Sequence, residues 1–317
     1  MSDEAVNTAP APRWKKTVRV LLGWAVGAGL LALMLRAVDA RALWTMAVQA
    51  PPLLWLAGAG LWWGSFVCRA ARMRQEWRWL RPVSLWTALR LVLLHNAAVL
   101  LLPFRAGEAG YPLLVRQVFG ARLRVALRSL VWLRVQDACI LGLLGVLLWP
   151  GMPTWLMWLC PLSLLGLVLL PASWWLRLLK RRQWWARLLR QVLHRRATRA
   201  AWLLSLGNWL CKLGVVALLL SQLLPLALMT GLQAAIGGEL AGLLPLQGPA
   251  GLGTYEAGVW LGAGLSSAST QAVAGAALLV HVFCLAVSLG AAAMAWLFLK
   301  WPPLPAALTI RENNNNL

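Results

Sequence analysis

The chain has 317 residues, 61% of them hydrophobic, and a mean hydropathy of +0.69. A soluble domain is about half apolar, so this composition excludes a water-soluble enzyme fold and points to a polytopic membrane protein. The net charge of +21, from 30 Lys+Arg against 9 Asp+Glu, would suggest nucleic acid in a soluble protein. Here the basic residues cluster between apolar runs, which is the positive-inside pattern of membrane proteins, and no nucleic-acid partner is expected.

Residues 1–16 are polar and proline-bearing and are expected to form a disordered cytoplasmic tail. Arg13, Lys15, Lys16 and Arg19 stand at the head of the first predicted span, Val18 to Leu35, with no small-residue cleavage site after it. That pattern reads as a retained signal anchor. A second span is predicted at Pro51 to Cys68, with a cytoplasmic loop behind it carrying Arg69, Arg72, Arg74, Arg78 and Arg81. Leu85 to Leu102 re-enters the membrane and includes Arg90, His95 and Asn96, unusual for a lipid-facing helix. Only about ten residues, Ala109 to Val118, then separate Glu108 from the next basic group. Ten helical residues cover about 15 Å, half of a ~30 Å hydrocarbon core, so this segment is expected to be the return arm of a re-entrant hairpin.

Val125 to Trp149 is predicted to cross outward to an uncharged loop at Pro150 to Pro153, and Trp155 to Leu176 to return. The most basic stretch follows, Arg177 to Arg199, with tryptophans and leucines interleaved. It reads as an amphipathic helix on the cytoplasmic interface, where contact with anionic lipid is a compatible use. Trp202 to Leu224 crosses outward, Leu226 to Leu244 re-enters, and a helix from about Tyr255 again covers half a membrane. Ala272 to Leu299 forms the last span, before a cytoplasmic tail at 301–317. On this topology Arg36 and Arg41 lie outside. Arg90, Arg105, Arg134 and Lys212 lie within the membrane, and all other basic residues lie inside.

The expected fold is therefore an all-α polytopic membrane protein with about six full transmembrane helices and two re-entrant broken-helix hairpins. A single transmembrane domain, 17–300, divides into repeat halves at about 17–149 and 154–299. The halves are related by inversion, as in many secondary transporters.

Two breaks organise this scheme. Leu243 to Gly258 reads LLPLQGPAGLGTYEAG and Leu101 to Gly110 reads LLPFRAGEAG. Both open Leu-Leu-Pro and close Glu-Ala-Gly, and proline and glycine at this density cannot continue a helix. Irregular backbone at membrane depth is tolerated only against protein or a water-filled cavity. Helix N-termini at such breaks attract anions such as phosphate, and arginine offers a bidentate fork to the same oxygens. Arg105, Glu108 and Glu256 are thus candidate site residues, with Gly107, Pro249, Gly251 and Gly253 letting a headgroup approach the backbone. Arg134 and Asp137 share a helix face and can pair. Glu239 follows Gly237-Gly238 and reads as a polar pore residue or a partner for Lys212. His281 and His95 fit buried hydrogen-bonding roles as well as a site.

The cysteines at 68, 139, 160, 211 and 284 lie inside apolar segments at unrelated spacings, which suggests neither disulfides nor a metal site. The 22 tryptophans mostly mark span ends, an aromatic belt. GxSxG, Walker, HExxH and CxxC motifs are absent, and no cofactor is expected.

At these breaks the sequence resembles the lysylphosphatidylglycerol synthase transmembrane family, the flippase-like membrane part of the aminoacyl-phosphatidylglycerol synthases. Pro103, Arg105, Gly107 and Glu108 match a proline, arginine and Gly-Glu of the family. Arg134 and Asp137 match a Glu-Arg-x-x-Asp motif in which Leu133 replaces the glutamate. Pro249, Gly251, Leu252, Gly253 and Glu256 match Pro-Gly-Gly-Leu-Gly-x-x-Glu, with Ala250 in place of a glycine. His281 falls where the family often has arginine. The resemblance covers roughly Ser84 to Leu299 and implies a lipid-translocation fold in the plasma membrane, the inner membrane of a bacterial cell, with both termini cytoplasmic. The aminoacyl-transferase domain of the full synthases is not part of it, so lysyl transfer is not carried over.

The leading expectation is flippase- or scramblase-like movement of a phospholipid or lipid-linked headgroup, with anionic membrane phospholipids as partners. Arg105 and the helix ends, with Tyr255 beside them, would hold phosphate. Glu108, Asp137 and Glu256 would bind a headgroup amine or cycle protons. One rival is an intramembrane transferase acting on a lipid or polyprenyl phosphate with Glu256 or Glu108 as general base. Another is a non-catalytic assembly partner whose basic loop, Arg177 to Arg199, docks another protein or anionic lipid; a homo-oligomer or a separately encoded partner is compatible with these readings.

Overall fold

The computed structural model describes residues 40–102, 107–169, 199–243, 249–264 and 269–298. The first predicted span, the basic stretch from Arg177 to Arg199 apart from the first helical residue of its successor, the Pro103–Ala106 part of the first break and the C-terminal tail lie outside them. Among the described residues the chain is all-helical, without strands. Three helices are long and apolar enough to cross a membrane: Leu123–Leu148, Ala200–Leu223 and Thr270–Phe298.

Among the described residues ten α-helices follow one another: α1 (Ala40–Gln49), α2 (Pro52–Trp77), α3 (Leu85–Leu101), α4 (Gly110–Phe119), α5 (Leu123–Leu148), α6 (Thr154–Leu169), α7 (Arg199–Leu223), α8 (Leu228–Ala241), α9 (Thr254–Ala263) and α10 (Thr270–Phe298). The order long, short, short, long occurs twice, as α2–α5 and as α7–α10. Proline at the start of α2 fits a first helical turn, whose N–H groups have no partner in any case. Ser84 caps α3 by accepting from the Thr87 amide at 3.1 Å. Gly120, left-handed at φ 71°, ends α4.

Two differences from the sequence-based expectation matter for function. The loop expected after Cys68 is helix as far as Trp77, because Phe66, Met73 and Trp77 continue an apolar stripe at helical spacing and are buried. Arg69 and Arg72 therefore belong to the bundle and not to a cytoplasmic loop. A short helix, α1, also stands where a plain loop was expected. It packs against α10, and Trp55 donates to its Ala47 carbonyl at 3.3 Å.

The two first long helices, α2 and α7, pack along each other. At their crossing a methyl placed on Gly64 would lie 3.3 Å from Cys211 Sγ, and one on Gly207 would lie 3.3 Å from Cys68 Sγ. Each helix thus lays the same Gly-x-x-x-Cys step over the other's, and the exchange of early with late residues makes them antiparallel. Small residues of this kind let helix backbones approach closely where lipid supplies no hydrophobic drive. The remaining contacts follow the same exchange. The first short helix of each half, α3 and α8, packs on the closing long helix of the other half, α10 and α5.

The second helix pair is the tighter. Cβ atoms on Gly237 and Gly258 would lie 2.2 and 2.4 Å from the other's carbonyl oxygen, and one on Gly262 would lie 2.3 Å from Gln233 O. Glycine here is required by backbone contact between α8 and α9. Two buried clusters complete the core. One is centred on α7 with Leu219, Leu220 and Ile236, the other on the Phe66, Trp77, Leu91 and Phe119 side chains.

Candidate functional site

Polar side chains enter this apolar bundle along two related lines. In the first half, Arg69 of α2 donates to the Asn96 side-chain oxygen of α3 at 3.1 Å. In the second, Lys212 of α7 pairs with Glu239 of α8 at 2.8 Å. Both pairs span 27 residues, and each cation directly follows the cysteine of its Gly-x-x-x-Cys step. Lys212 also lies 5.5 and 5.0 Å from the ring centroids of Trp62 and Trp209, within cation–π range.

The two breaks are related in the same way. Glu108 lies in a single 3-10 turn, Gly107–Ala109, just ahead of α4. It faces Arg134 of α5 at 3.2 Å. Glu256 lies in the first turn of α9 and faces His281 of α10, Oε1 to Nδ1, at 2.7 Å. The spacings are 26 and 25 residues. Glu256 is 1% exposed, and its other oxygen accepts the Gly253 amide at 2.7 Å. That bond is the side-chain-to-backbone half of a capping box, so one carboxylate both starts the helix and holds the histidine. Tyr255 stacks obliquely on the His281 ring, with centroids 4.3 Å apart.

Backbone at the second break is left-handed at three positions: Ala250 (φ 54°), Gly251 (φ 81°) and Gly253 (φ 87°). Ala250 is the only non-glycine among the described residues with such a conformation. The motif's usual glycine has its reason here, because a Cβ in this region costs roughly 1–2 kcal/mol. Gly107 serves a different purpose from Gly251. A Cβ there would lie 2.1 Å from the Ala98 carbonyl of α3, whereas one on Gly251 would meet only His281, at 4.0 Å. The Pro249–Gly251 turn itself packs against α3, so the second break touches the first half.

Between α2, α3 and α5 a small cleft is lined by Arg69, Arg72, His95, Tyr111, Arg134 and Asp137. Asp137 is the most heavily engaged carboxylate. Arg72 donates to its two oxygens at 2.6 and 3.1 Å, Ser205 donates at 2.9 Å, and Arg134 lies 3.8 Å away. The expected Arg134–Asp137 pair exists, but Arg72 is the principal partner. Behind the cleft Trp77 donates to the Tyr111 hydroxyl at 3.2 Å, Tyr111 and Ser129 share a bond of 3.0 Å, and Ser129 donates to Glu76.

Of the residues singled out in the sequence, the structure brings together Glu108, Arg134 and Asp137 in one group. Lys212 with Glu239 forms a second, and Tyr255, Glu256 and His281 a third. Arg105 lies outside the described residues, as does the side chain of Pro249. Arg69, Arg72, Glu76, Tyr111, Ser129 and Ser205 were not anticipated. The signal for the first three was available, since 69, 72 and 76 fall at helical spacing beside the buried stripe 66, 73 and 77. Among the described residues no group of histidine, cysteine and carboxylate side chains could hold a metal ion.

Polar and charged pairs at the helix breaks, in a bundle of apolar helices, define an α-helical membrane protein with a polar interior. More narrowly, residues 20–292 match the family model described as the lysylphosphatidylglycerol synthase TM region, and the chain belongs to that family. No curated protein and no solved structure matches it.

Proposed function

We propose that this protein moves a phospholipid or lipid-linked headgroup between the leaflets of the membrane. The observation that carries the reading is the paired arrangement of polar contacts about the α2–α7 crossing. Arg69–Asn96 lies to one side of it and Lys212–Glu239 to the other. Each cation is five residues beyond its glycine, or about 7 Å along the helix. A headgroup passing the crossing meets a cation and a polar partner on either side, while its tails stay in lipid.

On this reading the helix pairs α3–α4 and α8–α9 are re-entrant hairpins entering from opposite sides, and the two halves form an inverted repeat. The surplus of Arg and Lys in the loops between apolar segments supports a cytoplasmic position for both termini, and a plasma (inner) membrane setting fits the family. Glu108 and Glu256 act at the hairpin ends, where they bind a headgroup amine or carry protons. Membership of a lipid-related membrane family supports the substrate class.

Leaflet exchange in proteoliposomes tests the reading, using fluorescent phospholipids quenched by an impermeant reductant. Wild-type protein is expected to accelerate exchange over empty liposomes, and Glu108→Gln and Glu256→Gln to abolish the acceleration at matched reconstitution. Wild-type exchange no faster than in empty vesicles, across several lipid classes, overturns it.

A further inference from the structure

We infer that the cleft between α2, α3 and α5 binds a phosphate group, held by Arg69, Arg134 and His95. This deepens the translocation reading and rests on it for the lipid as source of the phosphate. The argument begins with the comparison between the halves. Lys212 is neutralised by Glu239 at 2.8 Å, but Arg69, its counterpart, faces the neutral amide of Asn96. Among the described residues no carboxylate lies within salt-bridge distance of Arg69. Asp137 and Glu239 act on Arg69 only through space. A guanidinium with no carboxylate in contact is costly in a low-dielectric bundle, and an anion from outside the chain lowers that cost.

The second observation is independent of charge. His95 is 3% exposed and lines the same cleft, yet its Nε2 has no hydrogen-bond partner among the described residues. A buried ring nitrogen without a partner costs about 1–3 kcal/mol, and a ligand oxygen placed in the cleft satisfies it. His95 is also fixed in place, edge-on to Tyr111 with centroids 5.5 Å apart.

The carboxylates around the cleft do not fill the site themselves. Asp137 is engaged by Arg72 and Ser205, Glu108 pairs with Arg134, and Glu76 accepts from Ser129. Each guanidinium carries five N–H donors, and the bonds to Asn96 and Glu108 leave several on Arg69 and Arg134 unused. Donors converging from three helices suit a tetrahedral anion with several acceptor oxygens better than a planar carboxylate.

The test uses the full chain in neutral detergent, with radiolabelled phosphatidylglycerol and radiolabelled inorganic phosphate as probes and a diacylglycerol without phosphate as control. Asn96→Glu copies the Lys212–Glu239 pair into the first half and places an internal anion on Arg69. It is expected to weaken phosphatidylglycerol binding about tenfold or more, while Asn96→Gln retains it. His95→Phe keeps a ring against Tyr111 and is expected to weaken binding as well, which gives a second reading if Asn96→Glu does not fold. Inorganic phosphate binding with the same sensitivity supports the site with free phosphate as a further source. Phosphatidylglycerol binding alone supports it with the lipid as source. Binding of neither probe, or equal binding by wild type and both variants, overturns the site. Leaflet exchange separates the two claims. Binding sensitive to Asn96→Glu without accelerated exchange keeps the site and removes translocation. Exchange unaffected by Asn96→Glu and His95→Phe keeps translocation and removes the site.

Discussion

His281 Nδ1 lies 2.7 Å from Glu256 Oε1, and Oε2 of the same carboxylate accepts the amide that begins α9. A helix start, a buried charge and a partner on the final long helix are thus fixed by one side chain. Glu256→Gln keeps the bond to Gly253 but sets an amide against His281 in place of the carboxylate. It is expected to lose about 1–3 kcal/mol of stability, whereas Glu256→Leu, which strands the histidine, loses about 3–5. His281→Arg restores the residue usual in the family and is expected to retain leaflet exchange. Thermal unfolding followed by tryptophan fluorescence in detergent gives the first two values, and the vesicle assay gives the third.

Arg72 and Asp137 form an ion pair at 2.6 Å, with side chains 6% and 14% exposed. Arg72→Met alone leaves Asp137 with Arg134 and Ser205 and is expected to cost about 3–5 kcal/mol. The double variant Arg72→Met with Asp137→Leu is expected to be the more stable of the two, because neither member of the pair is left without the other. A double-mutant cycle on unfolding free energy checks the sign.

Backbone contact between α8 and α9 predicts a sharp contrast among glycines. Gly258→Ala places a methyl 2.4 Å from the Gly237 carbonyl, while nothing lies within 4 Å of a methyl on Gly290. The first substitution is expected to destabilise by several kcal/mol or to prevent recovery of monodisperse protein. The second is expected to be neutral to within about 0.5 kcal/mol. Size-exclusion profiles and melting temperatures of the two variants decide it.

Ala250 occupies a left-handed position, at φ 54°. Ala250→Gly relieves the Cβ contact and is expected to raise stability by about 1 kcal/mol. A lower melting temperature in this variant would mean that the turn gains more from alanine's restriction of the unfolded chain than it loses to strain.

Much of this arrangement was legible in the sequence, and what was missed has a physical cause. Helix pairs on either side of the two breaks were placed correctly because proline and glycine clusters end helices wherever they fall. Lys212 with Glu239, and Arg134 with Asp137, were foreseeable as buried charges in need of partners. Arg69 and Arg72 were hidden by their company. Five arginines between Arg69 and Arg81 read as a positive-inside loop, although only the later ones leave the bundle. The echo between GSFVCR at 64–69 and GNWLCK at 207–212 was also open to inspection. Its glycine and cysteine are small residues, whose role emerges only when two backbones are brought together. Distances such as His281 to Glu256 depend on how α9 meets α10 and could not be read from one strand of text.

The antiparallel step of Gly64 and Cys68 over Gly207 and Cys211 has the form of a homodimer seam within a single chain. A twofold interface presents the same patch from both sides, and here each half offers the other a glycine, a thiol and then a cation. Because the patches are copies, a residue changed in one half alone breaks the equivalence and gives the two ends of the seam different chemistry. Asparagine at 96, where the second half has glutamate at 239, is such a change: one end of the seam sets its cation against an amide and the other against a carboxylate.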